Sequence, residues 1–157
     1  MLEPDPLWQL IRTEAQNAAE REPIMAAFFN AAILQHPSLA QALSANLAEQ
    51  LGDTMLSEGV ISAVIADALA QEPTILDAVR SDILACFERD PACQTHFMPM
   101  LYFKGFQALQ LYRVAHWLWL QERKMLALFF QSKISAVFTV DIHPGARLGS
   151  GIMIDHA

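Results

Sequence analysis

The chain has 157 residues, of which 54 % are hydrophobic and 17 % are charged, and its formal net charge is -7 at pH 7. Such a composition is not that of a disordered segment, and a chain this acidic is a poor candidate for a protein that tracks nucleic-acid phosphates. No basic stretch precedes an apolar run at the N-terminus, and the longest apolar stretch, residues 125–140, contains polar residues, so we expect a cytoplasmic protein that does not enter a membrane.

Apolar residues at helical spacing predict five amphipathic helices in the first part of the chain. The first begins after Asp5 and Pro6, a capping side chain followed by a ring that needs no N–H donor. The third is capped by Ser38 and ended by Gly52. The second to fifth predicted helices cover residues 24–35, 39–51 and 60–70 and the residues that follow Pro73. Short polar joints between them indicate a helical bundle.

The second predicted helix has a broad apolar face formed by Ile24, Ala27, Phe28, Ala31 and Ile33. A face of this kind is expected to pack into the core.

A loop at residues 91–99 precedes a long helix, about residues 101–123, that is apolar nearly all round. Such a helix must be enclosed by its own domain or by other subunits. A further helix, residues 125–137, leads into the end of the chain. Within the long helix we expect His116 to be a hydrogen-bonded core residue. Lys104 and Arg113 are expected to pair with acidic residues of the bundle.

Cys86 and Cys93 lack the spacing of a metal site or a disulfide framework. We expect them to be reduced and largely buried. The sequence also has no phosphate-binding loop, no dinucleotide fingerprint and no G-x-S-x-G element.

The end of the chain follows a different period. Ile142, Leu148 and Ile154 recur every six residues, and turn-forming residues lie between them: Pro144, Gly145, Gly149 and Gly151. Six is the period of a hexapeptide β-helix, in which one aliphatic side chain per flat face points inward. We therefore expect a mainly α protein with two parts: a helical bundle over residues 1–138 and the first, incomplete coil of a parallel β-helix over residues 139–157.

His156 is the strongest candidate for chemistry, because an imidazole has a pKa near neutrality and can act as a general base. A carboxylate on the second ring nitrogen would fix its tautomer. Asp141 lies fifteen residues earlier, and a triangular coil of about eighteen residues would return it to the neighbourhood of His156. From the residues alone, the alternative is that both are surface residues on a turn.

A metal site formed by His143 with Asp141, Asp155 and His156 is a weaker interpretation. No defined set of ligands is present in this stretch. We therefore expect no metal.

Three stretches resemble the serine O-acetyltransferase family. Residues 140–157, V-D-I-H-P-G-A-R-L-G-S-G-I-M-I-D-H-A, are similar to the start of its left-handed β-helical domain. Residues 88–92, E-R-D-P-A, and residues 102–118, Y-F-K-G-F-Q-A-L-Q-L-Y-R-V-A-H-W-L, resemble its helical domain. The resemblance implies an enzyme that makes O-acetylserine from acetyl-CoA and L-serine in cysteine biosynthesis.

The resemblance also implies roles for four residues. The histidine of D-H-A, His156, is the general base, and the aspartate of V-D-I-H-P, Asp141, is its partner. Asp90 and Asp155 hold the amino acid, mainly through its ammonium group. From the residues alone, we would expect Asp90 to be a turn residue that follows a helix. Asp155 would be a solvated carboxylate in a turn.

The family implies partners as well. Acetyl-CoA is a co-substrate and no cofactor is held permanently, while L-cysteine is the expected feedback inhibitor. Family members are trimers paired into hexamers, so we expect a homo-oligomer. The later coils of the family supply the acetyl-CoA groove and the tail that docks in O-acetylserine sulfhydrylase, and neither is matched in this sequence. We therefore expect little activity from the 157-residue chain alone.

Two alternatives remain open at the level of sequence. The chain could be a non-catalytic helical module that acts in oligomerisation. It could instead belong to another hexapeptide acyltransferase, with an acceptor such as a nucleotide sugar, although the helical domain and the R-D-P-A stretch at residues 89–92 argue against that assignment.

Overall fold

The computed structural model describes residues 4–156, and within this range the chain forms eight α-helices and no β-strand. The helices are α1 (Pro6–Arg21), α2 (Ala26–Phe29), α3 (Leu39–Leu51), α4 (Glu58–Gln71), α5 (Pro73–Arg89), α6 (Met98–Tyr102), α7 (Lys104–Leu120) and α8 (Lys124–Phe138). The prediction of a mainly helical chain is confirmed.

Local capping explains several helix ends. Asp5 Oδ1 accepts hydrogen bonds from two amides in the first turn of α1, at 3.1 and 3.4 Å, and Ser38 Oγ accepts one at the start of α3, at 3.2 Å. Pro73 is the first residue of α5. Gly52 ends α3 as predicted, but its φ of -65° is not left-handed. A side chain there is excluded instead by close approach, since a Cβ atom would lie 2.8 Å from the backbone nitrogen of Glu58.

The second predicted helix is not one regular helix. A 3₁₀ turn, Pro23–Met25, precedes α2, and a π-helical segment, Asn30–Leu34, follows it. The prediction that this face packs into the core is therefore largely wrong: only Ile33 of its five residues is buried, and Ile24 and Phe28 are 87 % and 41 % exposed. The two changes of winding rotate side chains away from the positions that a period of 3.6 residues assigns them.

The predicted helix over residues 101–123 is also interrupted. Phe103 has an extended backbone, with φ -95° and ψ 102°, and separates α6 from α7. Most of the residues of α7 are buried, so the expectation that this helix is enclosed is confirmed. It packs mainly against α8 and also contacts α4 and α5, while α3 packs against α4.

Two of the three contacts predicted for polar residues of α7 are present. Arg113 pairs with the buried Asp82, with Nη2 and Oδ2 2.7 Å apart. His116 Nδ1 donates to the carbonyl oxygen of Pro144 at 2.7 Å, although the ring is only partly buried. The expectation for Lys104 is not met within residues 4–156, where its Nζ donates to the hydroxyl of Thr139 at 3.1 Å and to no carboxylate.

Both cysteines are free and buried, as predicted. Burial raises the pKa of the Cys86 thiol to about 12, and the neighbouring Cys93, Asp82 and Asp90 add to the effect. At neutral pH Cys86 is therefore a protonated thiol and a poor nucleophile.

Residues 139–156 cross the bundle without forming a strand. Thr139 ends α8 in a left-handed conformation, with φ 59°. The side chains expected to face inward are only partly covered, and Leu148 is 40 % exposed. The six-residue period does not appear as strands in residues 139–156, so the predicted β-helical coil over residues 139–157 stays a prediction.

Over residues 4–156, no single helix is both long and apolar enough to cross a membrane. The pair α4 and α5 reaches that length and hydropathy only together, and the two helices are bent by 99° relative to each other.

Candidate active site

A cavity of about 360 Å³ lies where the end of α5, the junction of α6 with α7 and residues 153–156 meet. Three of the four predicted site residues line it, namely Asp90, Asp155 and His156. The other lining residues are Tyr102, Phe103, Lys104, Gly105, Met153 and Ile154. A slightly larger cavity, of about 420 Å³, lies between α5, α7 and residues 148–150 and contains none of the predicted site residues.

Asp90 is held in place by the end of α5. Its backbone N–H donates to the carbonyl oxygen of Cys86 at 3.0 Å, and its Oδ1 accepts from the backbone N–H of Ala92 at 2.9 Å. Oδ2 has no hydrogen bond within residues 4–156. The two sequence-level interpretations of Asp90 are thus compatible: one oxygen stabilises a turn, and the other is available to a cation in the cavity.

Asp155 and His156 also line this cavity. His156 Nε2 lies 3.4 Å from Asp155 Oδ1, and the two side chains are 92 % and 60 % exposed. Contacts at this exposure fix side chains weakly. The imidazole is therefore accessible to a substrate that enters the cavity.

Asp141 lies outside this cavity. Its Oδ1 accepts from Gln131 Nε2 at 2.9 Å, and no hydrogen bond or ion pair joins it to His156 within the described residues. The predicted pair of Asp141 and His156 stays a prediction.

His143 is engaged elsewhere. Its Nδ1 accepts from the backbone N–H of Gly145 at 2.9 Å, and its ring packs edge-on against Trp119. In the part of the chain that the structure describes, no group of three His, Cys, Asp or Glu side chains is arranged to hold a metal ion.

Sequence reasoning missed Gly105 as a site residue. A Cβ atom on Gly105 would lie only 2.5 Å from the carbonyl oxygen of Ile154, so α7 and residues 152–156 can approach this closely only at a glycine. The sequence did contain a signal for this close contact, because Gly105 lies in the Tyr102–Phe103–Lys104–Gly105 stretch, near the start of the predicted helix. A glycine inside a helical pattern often marks a close contact.

A sequence model described as "Serine acetyltransferase, N-terminal" matches residues 7–111. The chain belongs to the serine acetyltransferase family. The family resemblance inferred from the sequence motifs is confirmed. The matched region includes Asp90, whereas Asp141, Asp155 and His156 follow it.

Named relatives agree with this assignment. A serine acetyltransferase of Haemophilus influenzae is 47 % identical over 151 residues, which cover 96 % of this chain and 57 % of the relative. The crystal structure of a Vibrio cholerae serine acetyltransferase superimposes with a TM-score of 0.94 at 50 % identity, over 96 % of this chain and 58 % of that chain. The chain thus spans somewhat more than half the length of these relatives.

Two further solved serine acetyltransferases contain small molecules. One is a complex with CoA, 47 % identical with a TM-score of 0.94, over 96 % of this chain and 64 % of that chain. The other is a complex with cysteine, 47 % identical with a TM-score of 0.93, over 96 % of this chain and 63 % of that chain.

Proposed function

We propose that this chain provides the helical part and the first site residues of a serine O-acetyltransferase, which transfers an acetyl group from acetyl-CoA to the hydroxyl group of L-serine. The observation that carries the proposal is the shared cavity, in which Asp90, Asp155 and His156 come together in a chain of this family. The complex of a relative with CoA supports acetyl-CoA as the donor.

The cavity suits the amino group of an amino acid. A zwitterion needs an anionic partner for its ammonium group, and Asp90 and Asp155 place two carboxylates in one cavity of about 360 Å³. The uncommitted Oδ2 of Asp90 would accept a charge-assisted hydrogen bond from that group.

His156 would act as the general base. Its imidazole takes the proton of the serine hydroxyl as the oxygen attacks the thioester carbonyl of acetyl-CoA. The tetrahedral intermediate then collapses, the C–S bond breaks, and the CoA sulfur leaves with a proton returned by the imidazolium. The products are O-acetylserine and CoA. Asp141 is the proposed partner that orients the imidazole, although Gln131 is its hydrogen-bond partner in this structure.

The division of the chain into a helical domain, residues 1–138, and a first β-helical coil, residues 139–157, is part of the same proposal. It is supported by the six-residue spacing of Ile142, Leu148 and Ile154 and by the greater length of the relatives. We infer that strands form in this segment once adjacent coils supply backbone partners.

Partners and location follow from the family and the surface. The complex of a relative with cysteine supports L-cysteine as an inhibitor. O-acetylserine sulfhydrylase is the proposed partner of the family, through a docking tail that is not matched in this sequence. Within residues 4–156, Ile24 is 87 % exposed, and Phe28 and Tyr102, which stack on each other, are 41 % and 50 % exposed. These apolar side chains support a homo-oligomer. The two free thiols support a cytoplasmic location.

A chimaeric enzyme tests the proposal. The 157 residues would replace the matching part of the H. influenzae relative, and CoA release from acetyl-CoA would be followed with and without L-serine. We expect serine-dependent turnover on the order of 10 s⁻¹, and a loss of about 10²- to 10⁴-fold in kcat for His156→Ala. A well-folded chimaera without turnover, next to an active parent enzyme, would contradict the proposal and favour a non-catalytic module.

A further inference from the structure

Asp82 lies in the middle of α5 and is completely buried, with 0 % of its surface exposed. Its Oδ2 accepts hydrogen bonds from Arg113 Nη2 at 2.7 Å, Arg113 Nε at 3.2 Å and Gln110 Nε2 at 2.9 Å. Its Oδ1 accepts from the backbone N–H of Ile152 at 2.9 Å. One carboxylate therefore joins α5 to α7 through one oxygen and to the C-terminal segment through the other.

The contact with Ile152 lies next to the candidate site. Ile152 precedes Asp155 by three residues in the sequence. The adjoining carbonyl oxygen, of Gly151, accepts from Arg89 Nη1 at 2.8 Å. Thus α5 holds both sides of one peptide segment, and Gly105 of α7 packs under Ile154 just after it.

The chemistry at this position requires a carboxylate. The groups of the described chain that hydrogen-bond to the Asp82 carboxylate are all donors, so both of its oxygens must accept. An asparagine could place its oxygen toward Arg113 or toward Ile152, but its NH₂ group would then face a donor on the other side. The buried Arg113, 8 % exposed, also needs the negative charge, because an unpaired charge in the interior is costly.

We propose that Asp82 is a positioning residue, which fixes the backbone at Ile152 and thereby places Asp155 and His156 at the cavity that contains Asp90. The role of that cavity in binding serine rests on the function proposed above. The restraint that Asp82 places on the backbone at Ile152 is a property of this chain and can be measured without an activity assay.

Amide hydrogen exchange in the 157-residue chain tests directly whether Asp82 restrains the backbone at Ile152. The triple variant Asp82→Leu/Gln110→Met/Arg113→Met replaces the buried polar cluster by apolar side chains of similar size, a change that is often neutral for stability. We expect the Ile152 amide to exchange about tenfold faster, the effect of losing one hydrogen bond to a charged group. Amides of α1 to α4 should keep their protection.

Two more variants separate positioning from general stability. Asp82→Asn keeps the side-chain volume and should also speed exchange at Ile152 or lower the melting temperature through Arg113. Asp77→Asn is the matched control, since Asp77 is an exposed residue of the same helix, paired only with Arg80 in the described chain. Unchanged exchange at Ile152 in both the triple variant and Asp82→Asn would overturn the proposal.

The kinetics of the chimaeric enzyme test whether the contact of Asp82 with the Ile152 backbone contributes to serine binding. The triple variant should raise KM for L-serine more than it lowers kcat, at a melting temperature close to that of the unsubstituted chimaera. An unchanged KM would overturn the positioning role. If the unsubstituted chimaera itself does not turn over, the proposed function fails, and the exchange measurement still decides whether Asp82 holds the segment.

Discussion

Gly105 lies beneath the backbone of Ile154, so close that a Cβ atom on Gly105 would be 2.5 Å from the Ile154 carbonyl oxygen and 3.0 Å from its Cβ atom. Gly105 belongs to the first turn of α7 and is buried. The obstructing atom is backbone, so it cannot rotate out of the way as a side chain could. Any relief of the clash must move residues that adjoin Asp155.

We predict that Gly105→Ala destabilises the chain. Alanine would favour the helix by about 1 kcal/mol, but the steric conflict in a packed site should outweigh this and give a net loss of about 1–3 kcal/mol. Urea denaturation followed by circular dichroism measures the change. Gly59→Ala in α4 is the matched control, because no atom lies within 4 Å of its Cβ position, and it should be neutral or stabilising. A Gly105→Ala variant as stable as Gly59→Ala would contradict the predicted clash.

The comparison of sequence and structure shows what local chemistry determines. The starts of α1, α3 and α5 follow from Asp5, Ser38 and Pro73, because a cap or a proline acts on its own helix. The irregular winding from Pro23 to Leu34 has no comparable local signal. The assumption of a regular helical period therefore predicted that exposed residues of this segment are buried.

For Asp90 and Asp155 the roles came from the family motifs alone, whereas His156 and Asp141 were also candidates from their own chemistry and spacing. Nothing local in the sequence links Asp90 to Asp155, which the fold brings to one cavity. Asp82 was missed altogether, since its contact with Ile152 joins residues 70 positions apart. An aspartate within an amphipathic helix is ordinarily a solvated residue, and only the fold shows that this one is buried.

In the chimaeric enzyme, the carboxylates of the cavity should act on substrate binding. We predict that Asp90→Ala and Asp155→Ala raise KM for L-serine about tenfold or more, since each removes one charged partner of the ammonium group. Asp141→Asn should lower kcat, but less than His156→Ala does. Steady-state rates with varied L-serine measure both parameters, and Asp67→Ala on the exposed face of α4 is the control. A normal kcat for His156→Ala would contradict the assignment of the base.

Self-association should occur through the helical part of the chain. Ile24 is 87 % exposed, and one turn later the partly exposed Phe28 stacks on Tyr102 with ring centroids 6.4 Å apart. We predict oligomers of the 157-residue chain at tens of micromolar in sedimentation velocity, and weaker association for Ile24→Glu. Met55→Glu is the control, since Met55 is 84 % exposed but lies in the joint between α3 and α4. A single monomeric species for the unsubstituted chain would contradict this prediction.

The joint between α3 and α4 is tied to α8 by an ion pair. Lys133 Nζ donates to Asp53 Oδ2, and Asp53 Oδ1 accepts from the backbone N–H groups of Met55 and Leu56 at 2.8 and 2.9 Å. The hydrogen bond from Lys133, followed by those from the two amides, lowers the pKa of Asp53 from 3.8 to about 2. The charged carboxylate is therefore favoured in the folded state.

A carboxyl group whose pKa is lower in the folded state stabilises the fold above its unfolded pKa, and this contribution is lost as the pH falls through the folded value. For Asp53 the loss is expected between about pH 4 and about pH 2. We predict that Lys133→Gln lowers the melting temperature at neutral pH and that the difference from the unsubstituted chain shrinks as the pH falls across that window. Thermal unfolding followed by circular dichroism from about pH 2 to pH 7 measures it. Lys124→Gln is the control, because it removes an exposed ion pair with Glu122 and a cation–π contact with Trp119 but leaves the pair of Asp53 and Lys133 in place. Its effect should vary little across that window. A Lys133→Gln difference that is the same at every pH would show that the ion pair does not lower the pKa of Asp53.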